Sequence, residues 1–370
     1  MQIIFLTSSP LHKMHFNDLY IDELSERFDT EIWDVSDLYG RGRDNKEFPQ
    51  VKRIFTKGEL EICISGIKQK TVVITNILIF DLYLVKPLFE KKKIPVVSID
   101  KESIIFWMRD NFLKRNPQYA SEADHKKFFW KSFFLTRKIY SYLEYRHMKY
   151  DYMFGAYNYF PEASKRFIKI HNLKYDEYLK SEQEDRVLDY EYILFMDAGL
   201  AHLPAVSGKP NSIDQNDYVK AMNYLFEELE KKYNLPVVIA AHPKSGYEEE
   251  TFNGREIILY KTPELLKYAE LVLAHYSTSL IDLVLQKKQV LFLYSEEYMD
   301  SCSRTILITT REYAKMLGAP LLDIKDFSLE KIEIKINEEM YDSFIQDHIL
   351  NREFISSTNA QLIEDFLKKI

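Results

Sequence analysis

The sequence predicts a soluble α/β protein made of two tandem doubly wound domains. Short apolar segments bounded by polar turns alternate with amphipathic helical segments, the pattern of a parallel sheet covered by helices on both faces. At 370 residues the chain exceeds the ~100–200 residues of one domain. The series of strands and helices also starts afresh near residue 190. Together these observations predict two Rossmann-like domains in sequence.

The elements are assigned in chain order from their hydrophobic pattern. A first domain, residues 1–157, is predicted to contain strands at 2–7, 31–35, 71–75, 95–100 and 150–155 and a helix at 19–28. A polar and helical segment, residues 158–189, is predicted to connect the domains. A second domain, residues 190–355, is predicted to contain strands at 192–196, 236–240, 256–259, 271–274 and 289–293 and a helix at 218–232. Its last part weakens into short strands, and residues 356–370 are predicted to be a C-terminal helix.

The composition excludes several classes of protein. Hydrophobic residues make up 46% and charged residues 29% of the chain, which is typical of a soluble globular protein. No apolar run approaches the ~20 residues of a membrane-spanning helix, and no basic segment precedes the first strand, so a cytoplasmic location is expected. A net charge of −7 disfavours nucleic-acid binding. Two distant cysteines, Cys63 and Cys302, fit a reducing compartment.

Motif searches restrict the chemistry further. Neither GxGxxG nor GxxxxGK[ST] occurs, so dinucleotide-binding and P-loop functions have no positive support. HExxH, DxD and CxxC are also absent, and we predict no metal and no cofactor.

Polar residues follow three strands of the second predicted domain. Asp197 ends the strand at 192–196 and precedes Gly199, where an acid is able to take a proton from an acceptor hydroxyl. His242, held by Pro243, ends the strand at 236–240, and Lys244 adds a charge beside it. An imidazole there is able to bond a phosphate oxygen or protonate a leaving phosphate. The alternative for Asp197 is a simple turn cap.

The third strand end is the segment around which the domain is organised. His275 follows the strand at 271–274, and a hydroxyl cluster at the start of a helix comes next: Ser277, Thr278 and Ser279. A helix start offers unpaired N–H groups and a positive dipole end, which suit a phosphate. The same hydroxyls are also ordinary N-caps, so the structural alternative stays open.

A basic and aromatic segment at residues 125–149 stands out against the acidic chain. Its charged and aromatic residues include Lys126, Lys127, Trp130, Lys131, Arg137 and Lys138. One interpretation is a long helix with a core face and a solvated basic face. The other is a surface that contacts an anionic acceptor or the anionic face of a membrane.

These motifs carry a family resemblance. Residues 192–298 resemble bacterial GT-B glycosyltransferases of surface-polysaccharide biosynthesis, most of all the sialyltransferase and Kdo-transferase types that use CMP-activated acidic sugars. The shared elements are the strand-end acid followed by glycine (Asp197 and Gly199), the pair His242-Pro243, and the hydroxyls Ser277 to Ser279. Ala198 stands where the sialyltransferases usually carry a second acid.

The resemblance implies a GT-B architecture with a nucleotide-sugar cleft between an amino-terminal acceptor domain and a carboxy-terminal donor domain. It implies a metal-independent transferase with Asp197 and His242 as catalytic residues. Donor or phosphate contacts would come from Ser277, Thr278, Ser279, Lys244 and His275. The donor would be a CMP-linked acidic sugar such as a nonulosonate or Kdo, and the acceptor a glycan or lipid-linked glycan of capsule or lipopolysaccharide. The enzyme would be cytoplasmic or peripheral at the inner membrane.

Three alternatives stay open from the sequence. The same fold serves polyol-phosphate transferases and UDP- or GDP-sugar transferases and epimerases. A non-catalytic scaffold would retain the fold without its chemistry.

Overall fold

The structure of the chain is a computed structural model that describes residues 1–11, 13–42, 48–100, 103–116, 148–182, 184–200, 213–242, 245–277, 279–298 and 304–370. The chain divides into two compact units. The first unit holds Met1–Ser103, Ala123–Leu173 and Leu350–Ile370, and the second holds Ile104–Glu122 and Lys174–Ile349. Each unit has its own parallel sheet, which confirms the predicted pair of Rossmann-like α/β domains. The acceptor and donor roles of the two domains stay predictions.

The sheet of the first unit has the order β3-β2-β1-β4-β5-β6-β7 among the described residues, and all its strand pairs are parallel. Its strands are β1 Gln2–Thr7, β2 Asp29–Asp34, β3 Lys52–Arg53, β4 Thr71–Thr75, β5 Val96–Ile99, β6 Tyr150–Gly155 and β7 Ser164–Lys169. The central strands β1, β4 and β5 are buried on both faces, which explains why they read as continuous apolar runs in the sequence.

Helices cover the first sheet. They are Lys13–Leu19, Ile21–Ser25, Lys57–Ser65, Lys86–Lys91 and Asn359–Leu367. The helix predicted at 19–28 is wrong in its bounds, because Tyr20 adopts a left-handed conformation with φ 55° and separates two shorter helices. The predicted C-terminal helix is confirmed as Asn359–Leu367, and it packs on the first sheet.

The segment at 158–189 differs from its prediction as a polar helical connection. Ser164–Lys169 forms β7, the edge strand of the first sheet, paired in parallel with β6. Only Lys174–Ser181 is α-helical within the described part of this segment. Edge strands carry charged residues, so the lysines and arginine of β7 concealed its strand pattern.

The sheet of the second unit has the order β10-β9-β8-β11-β12-β13 among the described residues, again with parallel pairs throughout. Its strands are β8 Ile193–Met196, β9 Val237–Ala241, β10 Ile257–Leu259, β11 Leu271–Ala274, β12 Val290–Tyr294 and β13 Leu321–Asp323. Each of the five strands predicted here is confirmed to within one residue at either end.

The second sheet is covered by helices with buried apolar faces. They are Ser103–Arg115, Lys174–Ser181, Gln215–Tyr233, Thr262–Tyr268, Leu280–Leu285, Arg304–Leu317 and Glu338–Phe344. The expectation that the last part contains only short strands is wrong, since Arg304–Leu317 is a long amphipathic helix. Among helices of the described residues, none has the length and apolar composition needed to cross a membrane.

Candidate functional site

The three predicted strand ends lie side by side at the carboxyl edge of the second sheet. Strand β8 runs between β9 and β11, and Met196 is in register with Ala240 on one side and Ala274 on the other. The residues that follow these strands therefore share one edge. The strand order reverses at β8, because β9 and β10 lie on one side and β11 to β13 on the other. Open α/β sheets bind their ligands at such a switch point.

The carboxylate of Asp197 joins two of these strand ends. Its Oδ1 accepts a hydrogen bond from the backbone N–H of Gly199 at 2.8 Å, and its Oδ2 accepts one from the N–H of His242 at 3.2 Å. The residue is only 5% exposed, and burial raises the pKa of Asp197 above its ordinary value. Asp197 thus fixes the loop after β8 against the loop after β9.

Gly199 explains why the acid and the glycine occur together. Its φ of +65° lies in the left-handed region, which glycine adopts without steric cost. A Cβ atom at this position would lie 3.4 Å from Cγ of His242. The backbone after β8 therefore passes directly beside the imidazole of His242, which brings the two motifs together.

Two tyrosines near the same carboxylate, the buried Tyr218 and the half-buried Tyr247, were not predicted from the sequence. Burial and the nearby charge of Asp197 raise the pKa of Tyr247 and that of Tyr218. Tyr218 belongs to the helix Gln215–Tyr233, and its apolar neighbours made it look like an ordinary core position. The sequence holds no signal that distinguishes it from such a position.

His275, which the sequence predicted as a phosphate contact, is a fully buried core residue in the structure. It has no exposed surface, its Nδ1 lies 2.7 Å from the carbonyl oxygen of Leu293, and its Nε2 lies 3.0 Å from the hydroxyl of Tyr218. The carbonyl requires a proton on Nδ1, so Tyr218 donates to Nε2. Burial lowers the pKa of His275 to about 4, and the ring is neutral near pH 7. With both nitrogens bonded, the imidazole holds β11, β12 and the helix Gln215–Tyr233 together.

The hydroxyl cluster remains accessible in part. Ser277 and Ser279 are both half-buried, and the N–H of Ser279 donates to Oγ of Ser277 at 3.3 Å. The hydroxyl of Ser279 makes no capping bond to the following helix Leu280–Leu285. That helix is only six residues long, so its dipole is small. A phosphate at this position would depend on the side-chain hydroxyls and the loop backbone.

The loop that carries these serines is anchored by the helix Arg304–Leu317. The N–H of Tyr276 donates to Oγ1 of Thr310 at 2.8 Å, and the rings of Tyr276 and Tyr313 lie 5.6 Å apart. The helical spacing of Leu307, Ile308, Tyr313 and Leu317 was the signal that would have revealed this helix from the sequence.

Several predicted contacts lie outside the described residues. These are Thr278, Lys244, Lys126, Lys127, Trp130, Lys131, Arg137 and Lys138. Arg255 binds Glu230 through two nitrogens at 2.9 and 2.6 Å. Its guanidinium therefore serves the packing of the helix Gln215–Tyr233.

Comparison with known proteins identifies the fold. No protein-family model and no curated protein matches the chain. The UDP-GlcNAc 2-epimerase from Methanocaldococcus jannaschii aligns over 100% of both chains with a TM-score of 0.51 and 14% identity. The glycotransferase of kitacinnamycin aligns over 99% of this chain and 98% of its own, with a TM-score of 0.53 and 10% identity. The spinosyn forosaminyltransferase SpnP gives 100% and 98% coverage, a TM-score of 0.50 and 13% identity. These likenesses establish a GT-B fold of two Rossmann-like units.

Proposed function

We propose that this protein is a glycosyltransferase of the GT-B type that uses a nucleotide-activated sugar. The observation that carries the proposal is the junction made by Asp197, which brings the Asp-Ala-Gly and His-Pro motifs together at the switch point of the second sheet. The hydroxyl motif follows the adjacent strand β11. The fold agrees, because the kitacinnamycin and spinosyn enzymes with the same architecture are named as sugar transferases.

The proposed donor contacts are Ser277, Thr278, Ser279 and Lys244. Hydroxyls and an ammonium group are able to hold a phosphate by hydrogen bonds and charge without a metal ion. His242, placed beside Gly199, would contact the phosphate that leaves with the nucleotide or supply its proton. His275 is left out of this set because both its ring nitrogens are bonded within the core.

Asp197 has two alternative roles in this proposal. The family resemblance suggests a general base, and a raised pKa suits a base that works near neutral pH. Its burial and its two backbone hydrogen bonds favour a positioning role, in which the carboxylate holds His242 in place. We favour the positioning role, because a carboxylate bonded at both oxygens does not reach an acceptor hydroxyl without rearrangement.

Two nucleotides compete as the carrier of the sugar. The motif resemblance favours CMP, whereas the epimerase that aligns over the whole chain is named for a UDP-sugar. We propose a UDP-sugar as the first donor to test and keep a CMP-linked acidic sugar as the alternative. The same alignment makes nucleotide-sugar epimerisation the second candidate function.

Nucleotide binding is tested by thermal shift with UDP, UMP, CMP and GDP. We expect one nucleotide to raise the unfolding midpoint of the wild type and to lose most of that effect in a Ser277→Ala, Ser279→Ala double variant. Ser343→Ala, an exposed serine of the same unit, is the matched control and should respond like the wild type. No stabilisation by any of the four nucleotides would contradict the proposal.

Sugar transfer is tested with the nucleotide sugar selected by that panel. We expect His242→Ala to lower turnover by about 10²-fold, the usual loss when a group that stabilises the departing charge is removed. The products are then compared with and without a glycan acceptor. A stereochemically inverted sugar nucleotide formed without acceptor would identify an epimerase, and unchanged turnover of His242→Ala would refute its assigned role.

A further inference from the structure

The helix Leu280–Leu285 carries a buried acid that the proposed function does not use. Asp282 has no exposed surface, and neither of its carboxyl oxygens has a hydrogen-bond partner among the described residues. One turn further on, Oε1 of Gln286 is also buried without a partner among the described residues. Buried carboxyl groups in folded proteins are nearly always paired, because an unpaired charge loses its hydration. The side chain of Asp282 therefore has an unusual environment for a carboxyl group.

Among the elements of the described residues, two helices and a π-helical turn pack against this helix and carry titratable groups. The charged or titratable residues on these elements are Lys174, Tyr175, Asp176, Glu177, Tyr178 and Lys180 of the helix Lys174–Ser181, Glu264, Lys267 and Tyr268 of the helix Thr262–Tyr268, and Asp347 and His348 of the π-helical turn Ile345–Ile349. Among the described residues, Lys174 is the cation whose charge lowers the pKa of Asp282, and its ammonium donates a hydrogen bond to Glu177.

In these surroundings the carboxyl of Asp282 ionises near neutral pH. Burial raises the pKa of Asp282 to about 7, with smaller raising effects from Glu177 and Glu264. The charge of Lys174 lowers the pKa in opposition. A change of about one pH unit around neutrality therefore changes the charge of this group.

We propose that Asp282 and Lys174 form a proton-operated latch between the helices Leu280–Leu285 and Lys174–Ser181. The protonated carboxyl of Asp282 tolerates its apolar surroundings and leaves Lys174 with Glu177. Loss of the proton places a charge between the helices, and the Lys174 ammonium then exchanges its partner Glu177 for Asp282. The two helices shift against each other as the ion pair is exchanged.

The latch lies next to the candidate site and therefore affects the serine hydroxyls there. The helix Leu280–Leu285 begins directly after Ser277 and Ser279, so a shift of this helix changes the position of those hydroxyls. The latch itself depends only on side chains of the second unit. It is tested without any sugar nucleotide, so its failure and the failure of the proposed function are separable.

Equilibrium unfolding in urea at several pH values tests the latch. Asp282 holds its proton more tightly in the folded chain, with a pKa of about 7, than at the ordinary value of 3.8. Its stabilising effect is therefore fully present below pH 3.8, declines as the pH rises, and is lost above about pH 7. We expect the unfolding constant of the wild type relative to Asp282→Asn to rise about fiftyfold between about pH 5 and about pH 7, and then to level off.

The comparison with Asp282→Asn is needed because His275 changes the stability with pH in the opposite direction. Burial lowers the pKa of His275 from 6.5 to about 4, so its contribution to stability is lost as the pH falls through that range. The stability of the wild type contains the contributions of both His275 and Asp282. The ratio of its unfolding constant to that of Asp282→Asn leaves the contribution of Asp282 alone. Asp189→Asn, the same change at an exposed position of the same unit, is the control and should follow the wild type at each pH.

Lys174→Met tests the exchange of ion pairs. Without the ammonium the ionised form of Asp282 is less favourable, so the levelling-off should move to higher pH. Hydrogen exchange supplies an independent measurement on the wild type: after correction for intrinsic rates, amides of residues 280–286 should exchange faster above about pH 7 than below it. Equal pH profiles for wild type and Asp282→Asn, an unmoved profile in Lys174→Met, or pH-independent protection of residues 280–286 would each overturn the proposal.

Discussion

At the scale of single residues, the loop after β8 shows how one carboxylate organises a strand edge. Asp197 uses both oxygens on backbone N–H groups, one in its own loop and one at His242. Gly199 supplies the left-handed backbone that turns the loop towards the imidazole. The acid, the glycine and the histidine thus depend on each other, although the histidine follows another strand.

Gly199→Val tests the close approach of this loop to His242. Valine is strained by about 1–2 kcal/mol in the left-handed conformation, and it also places its methyl groups against the imidazole. Gly246→Val introduces the same kind of strain at φ +61°, but no atom of the described residues lies within 4 Å of a Cβ there. We expect Gly199→Val to lower the unfolding free energy in urea by about 1–2 kcal/mol more than Gly246→Val, because overpacking adds to strain. Equal losses would show that the contact with His242 has no energetic weight.

At the scale of secondary-structure elements, the helix Arg304–Leu317 fixes the serine loop from outside the sheet edge. Thr310 uses its hydroxyl twice, as a donor to the carbonyl of Ile306 and as the acceptor for the N–H of Tyr276. Among the described residues, the neighbouring Thr309 donates its hydroxyl only to the carbonyl of Thr305 within its own helix. Both threonines have no exposed surface, so they are matched in burial and differ in the hydrogen bonds they make.

Thr310→Val should therefore be more damaging than Thr309→Val. The first change leaves the N–H of Tyr276 without its acceptor, which costs about 1–3 kcal/mol, whereas the second removes a bond internal to the helix and costs about 1 kcal/mol. Urea unfolding measures both variants. If Thr310→Val also weakens nucleotide stabilisation while Thr309→Val does not, the helix positions the serine loop for its ligand. Equal effects of the two variants on stability and binding would contradict that role.

At the scale of the whole molecule, the division into units does not follow the order of the chain. The helix Ser103–Arg115 comes from the amino-terminal half, yet Phe112 packs in the core of the second unit and Arg115 is paired with Glu312. The carboxy-terminal helix Asn359–Leu367 instead completes the first unit. Its Phe366 ring lies 5.0 Å from Tyr152 and 5.3 Å from Phe154.

The carboxy-terminal segment is also fixed by a buried polar group. The backbone N–H of His171 donates to Oδ1 of Asn359 at 2.8 Å, and the imidazole Nδ1 of His171 accepts from the N–H of Asn351 at 3.0 Å. The amide of Asn359 donates to the hydroxyl of Tyr20 at 2.9 Å. These bonds join residues from both ends of the chain within the first unit.

Ile363→Ala tests this contribution of the last helix. Ile363 has no exposed surface, so the truncation should lower the unfolding free energy by about 2–5 kcal/mol. Asp365→Ala, at an exposed position of the same helix, should change it by less than about 0.5 kcal/mol. Hydrogen exchange should show lost protection in β1 and retained protection in β8. Preferential loss in β8 would contradict the assignment of this helix to the first unit.

The sequence alone determined the fold class, because buried parallel strands are continuous apolar runs and remain recognisable without context. Strand ends at Asp197, His242 and the serine cluster were also visible, since each follows a continuous apolar run directly. Tertiary structure decided what those ends do. It placed Asp197 on the backbone of His242 and withdrew His275 into the core, both through contacts with residues distant in the chain. It also revealed Asp282, whose position in an apolar helix gave no hint that its carboxyl lacks a partner. Local pattern fixes which residues are buried, but only the packed chain decides which buried polar groups find each other.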